Sequence, residues 1–519
     1  MGKASTPTSD CLAPSRPTNS LESHKPSSTS IDSLPTELLI EIFALCTGDD
    51  APLAPLVLAQ VCRGWRTVIW TTPDAWRRLS LDDTQRPVPA SHRQAALWLA
   101  HSHPHAFDVR VQLARPDSLL PLLAPVLPHL HRCRTLELAG RTHETIAVAA
   151  LADDPAQAAL HHLIITLKGA AELDDDDGAP RAPTFSAFPP YLAAHAHGGA
   201  GAPLLNKLTM RATALELPLA PLMVPVPLRS LAILENSPDV TPDPARLVRF
   251  LAFCPQLEEL RFSGYPHEPP PPPPHAPRGA APVARLPRLH TLVLRSTCAV
   301  RAILSHLDAP ALRELYLEHT NMEFELRHAA HARDADAEPG DSEDEAHDFS
   351  QSPWSDLGTG MGLRRLIARS RPPLQVLDMN YADMRTKDFA WCFEHLTHLR
   401  DFRIIASDMS DRVIRLLAPY RARAPRYLGA VFGENGEDEE AVRVRLPRLV
   451  SLELEKCHRL TGDAVVNAFV ARVLHTDTLA EGQRGRTLRQ VSIIGCADVQ
   501  PRHIMALSPI LGTRLRTSE

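Results

Sequence analysis

Histidine, cysteine and glycine are the residues whose types could do chemistry in this chain, and their spacing sets how far each can go. There are 25 histidines, densest at His101-Ser102-His103-Pro104-His105 and His195-Ala196-His197. A zinc site needs three or four N, S or O ligands converging on one ion. Neither cluster has a cysteine or carboxylate at ligand spacing, so no metal is expected. Cysteines Cys11, Cys46, Cys62, Cys133, Cys254, Cys298, Cys392, Cys457 and Cys496 stand singly, with no C-x-x-C pair. That pattern argues against a zinc site and a disulfide framework, and for a reducing compartment, cytoplasm or nucleus. Gly358-Thr359-Gly360-Met361-Gly362 precedes a helical pattern. It follows no strand and has no placed acidic partner, so it reads as a linker or helix entry rather than a nucleotide loop. There is no Walker lysine, G-x-S-x-G or H-E-x-x-H, and no Ser/His/Asp or Cys/His set can be assembled. The expectation is a chain that is not an enzyme and uses no cofactor.

Two residues invite modification instead. Met1-Gly2-Lys3-Ala4-Ser5-Thr6 fits the short pattern for myristoylation at Gly2, although a single acyl chain holds a membrane only marginally. Ser342, in Asp341-Ser342-Glu343-Asp344-Glu345, suits an acidophilic kinase, and phosphate there would deepen a negative patch. The formal net charge of −6 offers nothing global to nucleic acid or anionic lipid. No apolar run approaches the ~20 residues of a membrane span, so no stable membrane insertion is expected.

Behind these residues the 519-residue chain has room for two or more domains or one extended array. Residues 1–30 are Ser/Thr/Pro-rich and read as a disordered tail. A helix then opens at Leu34-Pro35, since proline suits the first helical position, and Glu37 lies where the helix dipole favours negative charge. Leu38, Leu39, Ile42, Phe43 and Cys46 paint one broad apolar stripe. Gly48, Asp49, Asp50 and Pro52 end it. A second run, Leu56 to Val61, leads into Cys62-Arg63-Gly64-Trp65-Arg66-Thr67-Val68-Ile69-Trp70, closed by Thr71, Thr72 and Pro73. Such a piece is near the lower limit of independent stability, and its apolar surface is generous for its size. Two readings remain open from the residues alone: a module completed by a partner, or a small helical cap on the domain downstream.

From residue 92 the rhythm changes to helical segments alternating with short strands reading L-x-x-L-x-L. The clearest copies run from Leu228, Leu257, Leu289, Leu312, Leu374, Leu399, Leu449 and Leu488, with another from Cys133 to Leu138. Leu231 to Leu260 spans 29 residues and Leu292 to Leu315 spans 23, within reach of the 20–29-residue period of leucine-rich repeats. Longer gaps carry low-complexity insertions near 171–203, 264–283, 328–357 and 433–444. The expected fold class is α/β: an N-terminal three-helix module, then a leucine-rich-repeat solenoid over 92–512, a curved parallel sheet with outer helices. The alternating x positions of each strand would then share its concave face.

The module at 31–80 resembles an F-box. The match runs Leu34-Pro35-x-Glu37-Leu38-Leu39-x-x-Ile42-Phe43, then Leu58-x-x-Val61-Cys62-Arg63-x-Trp65-Arg66, then Trp70 and Pro73-x-x-Trp76. It departs in the proline-bearing linker from Gly48 to Pro55, and in Ala75 where a leucine commonly stands. The resemblance implies docking onto the Skp-type adaptor of a cullin–RING (SCF-class) ubiquitin ligase. Leu34, Pro35, Glu37, Leu38, Leu39, Ile42, Phe43, Leu58, Val61, Cys62, Trp65 and Trp70 would then bind the adaptor or support the contact. With the repeats, the chain looks like the leucine-rich-repeat F-box proteins. Leu452-Glu453-Leu454-x-x-Cys457 partly echoes their cysteine-containing repeat. The expected function is a substrate-recognition adaptor whose repeats hold an unidentified target. The alternative is a repeat scaffold that binds the adaptor without ubiquitin transfer.

Overall fold

The computed structural model describes residues 31, 34–47, 51–84, 87–115, 117–142, 160–169, 206–210, 228–234, 244–264, 283–296, 300–318, 359–382, 384–407, 409–422, 441–478 and 487–517. The N-terminal tail, Gly2, Ser342, Gly48, the His195–His197 cluster and most of the four insertions lie outside them. Two compact units divide the chain, Met1–Ala75 and Trp76–Glu519.

Among the described residues the first unit holds three α-helices: α1 (Thr36–Cys46), α2 (Ala54–Val61) and α3 (Arg63–Thr71). Pro35 sits one position earlier than expected, as the extended residue before α1, and its carbonyl accepts from the amides of Leu38 and Leu39 at 3.1 and 3.2 Å. Thr47 ends the helix by donating its amide to Phe43 O at 3.2 Å and its hydroxyl to Ala44 O at 2.8 Å. Extended Cys62 separates α2 from α3, and its Sγ accepts from the Trp65 amide at 3.3 Å, the work usually done by a Ser or Asp N-cap. Arg66 Nε donates to Ala59 O at 2.9 Å and ties α3 back to α2.

Among the described residues of the second unit, fourteen strands form one parallel sheet whose spatial order is their chain order. They are β1 (Arg78–Asp82), β2 (Phe107–Leu113), β3 (Cys133–Thr142), β4 (His162–Gly169), β5 (Lys207–Met210), β6 (Ser230–Leu234), β7 (Glu259–Ser263), β8 (Thr291–Arg295), β9 (Glu314–Glu318), β10 (Val376–Asn380), β11 (Asp401–Ile405), β12 (Ser451–Glu455), β13 (Gln490–Ile494) and β14 (Leu515–Thr517). The sheet thus opens at Arg78, ahead of the expected start at 92. Trp76 packs there edge-on to Trp98, ring centroids 4.9 Å apart, and Trp98 Nε1 donates to Arg78 O at 2.9 Å. Ala441–Arg443, assigned from sequence to an insertion, instead pairs antiparallel with Tyr420–Ala422, because a short pairing satisfies backbone groups that a loop would leave to water.

Leucine spacing sets the register. Leu231, Leu260, Leu292, Leu315, Leu377, Phe402, Leu452 and Val491 are successive cross-strand partners, and all are fully buried or nearly so. Side chains alternate faces along a strand, so one face is a continuous apolar layer and the other carries the x residues, half-exposed. Many strands leave through the same turn. Ser296, Tyr381, Ala406, Lys456 and Gly495, each one residue past a strand, have φ between 46° and 61°. The first four donate their amides to the neighbouring strand end at 2.8–2.9 Å, so each ladder gains one more bond. Helices Pro244–Leu251, Val300–Ser305, Thr359–Ser370, Thr386–His395, Asp411–Arg415, Gly462–Asp477 and Pro501–Leu511 connect the later strands. Among the described residues no helix is long and apolar enough to cross a membrane.

Candidate functional sites

In the helical unit burial sorts the apolar residues into two sets. Leu39, Phe43, Ala59 and Ile69 are buried, and the Phe43 and Trp65 rings meet at 4.8 Å. Leu38, Ile42 and Leu45, at i, i+4 and i+7 on α1, are 45, 37 and 82% exposed, and Val57 and Val61 on α2 are 61 and 59% exposed. Full burial of a Val, Leu or Ile side chain is worth roughly 1.5–3 kcal/mol, so these stripes offer a partner several kcal/mol before the costs of association.

The sequence-derived set therefore divides. Leu38, Ile42 and Val61 present apolar surface. Pro35 and Glu37 are also exposed, while Leu34, Leu58, Trp65 and Trp70 are half-buried. Leu39 and Phe43 are core and hold the helices together, and Cys62 caps α3. Leu45 and Val57, outside that set, present apolar surface as well. The signal was present in their helical spacing from Leu38 and Val61.

Several of the residues with chemistry-capable side chains or spacing pack into the fold. Gly360 and Gly362 lie inside the helix Thr359–Ser370. A Cβ on Gly362 would stand 2.9 Å from Arg301 Cα and 3.2 Å from Leu304 Cβ, so its missing side chain admits the neighbouring helix. Among the described residues no group of three His, Cys, Asp or Glu could hold a metal. His101 lies beside the Trp76 ring at 5.0 Å. The described cysteines are free thiols; burial pushes those of Cys133, Cys254 and Cys392 up, which keeps them protonated and unreactive.

A second surface lies on the x-residue face of the sheet. The x positions of β9 to β12 that remain open bring Glu314, Glu318, Asp378, Asp401, Glu453 and Glu455 together with one cation, Arg403. Arg403 Nε donates to Glu453 at 2.9 Å and Nη1 to Asp378 Oδ2 at 3.4 Å, and Nη2 lies 3.7 Å from Glu455. Glu318 is paired across the ladder with Arg295 at 2.6 Å. Burial first, then the charges of Glu318 and Glu453, raise the Asp378 carboxyl above its ordinary range against the pull of Arg403. Its Oδ1, and Oδ1 of Asn380 two residues on, are enclosed without a donor.

No curated protein matches the chain as a similar sequence. The family model described as F-box-like matches residues 31–82, the three helices and the first strand, and the chain carries an F-box-like domain there, which supports binding to a Skp-type adaptor.

Proposed function

We propose that this chain is a substrate-recognition subunit of an SCF-type cullin–RING ubiquitin ligase. The F-box-like unit docks on the Skp-type adaptor and, through it, the cullin. The observation that carries the reading is the division within α1: Phe43 and Leu39 lock the helix to its module while Leu38, Ile42 and Leu45 stay exposed. A helix that held only its own module would gain nothing from a second apolar stripe, whereas a partner groove filled by aliphatic anchors would.

On this reading the second unit is a leucine-rich-repeat solenoid. The in-order parallel strands, the matched leucine register and the recurring left-handed turn residue support that assignment. Its x-residue face holds the target. The chain makes and breaks no bonds itself; it raises the target's effective concentration near the charged ubiquitin carrier, in the cytoplasm or nucleus.

Co-expression of the tagged full chain with a Skp-type adaptor tests the docking half. A stoichiometric complex that is lost in Leu38→Asp/Ile42→Asp and kept in a surface control in the second unit such as Met505→Ala, 73% exposed, supports it. A well-folded chain that leaves the adaptor behind overturns it. Cullin co-purification with ubiquitin transfer to a bound target separates the receptor from a scaffold that binds the adaptor alone.

A further inference from the structure

Strands β12 and β13 end in the same turn, and each turn carries a cysteine. Glu455 and Ile494 are cross-strand partners at the ends of the two strands. Lys456 and Gly495 follow with φ of 52° and 61°, and Cys457 and Cys496 come next. Equal steps from a paired position bring the two cysteines to matching places on adjacent strands. Their sulfurs repeat the match: Cys457 Sγ lies 3.6 Å from Glu455 O and Cys496 Sγ 3.8 Å from Ile494 O. Cys496 Sγ also lies 3.8 Å from Leu454 O on the neighbouring strand, and the two thiols are in hydrogen-bonding contact. Adjacent strands stand about 4.8 Å apart, inside the Cα separation of roughly 4.4–6.8 Å that a disulfide spans.

This pair differs from the other buried thiols. Cys133, Cys254 and Cys392 are wholly enclosed, and burial holds them protonated. Cys496 keeps 6% of its surface open, between exposed Gly495 and Ala497, while Cys457 is fully enclosed. The hydrogen bond from the Cys457 thiol first, then backbone contacts, hold the Cys496 thiol below the usual range against burial and the charge of Glu455. Thiolate is the form that attacks an oxidant. One sulfur therefore reaches the surface as the nucleophile, and the other meets only its neighbour.

We propose that Cys457 and Cys496 are a modification site, a thiol pair that peroxide closes to a disulfide between β12 and β13. The Cys496 thiolate attacks hydrogen peroxide, the O–O bond breaks, and the departing hydroxide takes a proton and leaves as water. Cys496 is then a sulfenic acid. The Cys457 sulfur displaces its hydroxyl, which leaves as water with the Cys457 proton. Two thiols give up two electrons and two protons, and one peroxide becomes two waters. The new bond closes a loop, since Cys457 to Cys496 spans 39 residues, and a closed loop of this kind restricts the unfolded chain. The oxidised protein is therefore the more stable one. The site is independent of the adaptor contact and of the target face.

The test is a pulse of hydrogen peroxide on the folded, reduced full chain, quenched with iodoacetamide in denaturant and mapped by peptide mass spectrometry. The parent yields one peptide pair joined through Cys457 and Cys496 with the loss of two hydrogens, while Cys133, Cys254 and Cys392 are recovered alkylated. Dithiothreitol returns both thiols, and the oxidised protein melts above the reduced one. In Cys457→Ser the Cys496 sulfur has no neighbour to close on, so dimedone traps its sulfenic acid and longer exposure carries it to sulfinic acid. Recovery of both cysteines alkylated from the oxidised parent overturns the proposal. So does oxidation of either one without the joined peptide, or its joining to a different cysteine. If Cys457→Ser melts early, the parent decides alone: the joined peptide supports the site and its absence overturns it.

Discussion

The rings of Phe43 and Trp65 lie 4.8 Å apart at 57°, a contact between the first helix of the F-box-like unit and its third. It decides which face of α1 is used in folding. Phe43 is fully buried, so its neighbours Ile42 and Leu38, on the adjoining stripe, are left for something else.

Two kinds of substitution in this helix should therefore behave oppositely. Phe43→Ala costs about 3–5 kcal/mol, the usual loss for a large buried aromatic, and unfolds so small a unit. Leu38→Asp and Ile42→Asp leave the melting profile of the full chain within experimental error and abolish adaptor capture. Circular dichroism melts beside a pull-down check both, and a Leu38→Asp protein that unfolds would contradict the assignment of its face.

Gly362 should resist replacement even though alanine is the better helix former by about 1 kcal/mol. Its missing Cβ is where Arg301 Cα approaches to 2.9 Å, and overpacking of this kind costs about 1–3 kcal/mol. Gly362→Ala should lower the urea midpoint; a higher midpoint would show that the two helices can separate freely.

Ala406 offers the reverse case. It follows β11 with φ of 52°, a conformation that costs a non-glycine residue about 1–2 kcal/mol. Its amide bond to Glu455 O at 2.8 Å is indifferent to the side chain. Ala406→Gly should raise stability by about 0.5–1 kcal/mol, the balance after the entropy of a more flexible unfolded chain, and equilibrium unfolding measures it.

Arg472 is fully buried and donates to three carbonyls, Leu417 O at 3.0 Å, Arg445 O at 2.9 Å and Leu446 O at 2.6 Å. Burial lowers its pKa to about 10, which still leaves it charged at neutral pH. It is a backbone clamp between the helix Gly462–Asp477 and two loops. Arg472→Met removes donors from enclosed carbonyls and should cost about 3–5 kcal/mol, read as early loss of the second unit in thermal unfolding. A shift of under a degree would mean that water replaces the guanidinium.

Acid should weaken the sheet through His162. Burial, then the charge of Lys207, lowers its pKa to about 4 against the opposing pull of Asp108. Below the ordinary value near 6.5 the unfolded chain takes up a proton that the folded chain refuses. Its contribution is therefore complete above about 6.5 and is lost as pH falls towards 4. Urea titrations at pH 7 and pH 5 should show a larger loss in the parent than in His162→Asn; equal losses would assign the acid sensitivity to other groups.

How much of this is legible in the sequence depends on what specifies each element. The helices at Leu34 and Cys62 and the repeated strands are readable because local spacing specifies them: a stripe every three to four residues, or alternate leucines. The F-box-like match is readable for the same reason, as an ordered run of such positions. Whether Phe43 or Ile42 is core is not, since adjacent positions on a broad stripe look alike until Trp65 takes up its place. Trp76 closes the F-box-like pattern in sequence, but its packing on Trp98, 22 residues on, is indicated by no local pattern. The glycine run at 358–362 reads as a helix entry, but why position 362 must be glycine stays hidden, because the helix that crosses it comes from Arg301 and Leu304, far away in sequence. The sequence by itself determined the helical module, the alternation of strand and helix, and which side of each strand is apolar. Only the tertiary structure decided which residues meet across strands. It takes the parallel register to set Tyr316, Asp378, Arg403 and Glu453 side by side, and charges that are scattered along the chain become one face through contacts between distant segments.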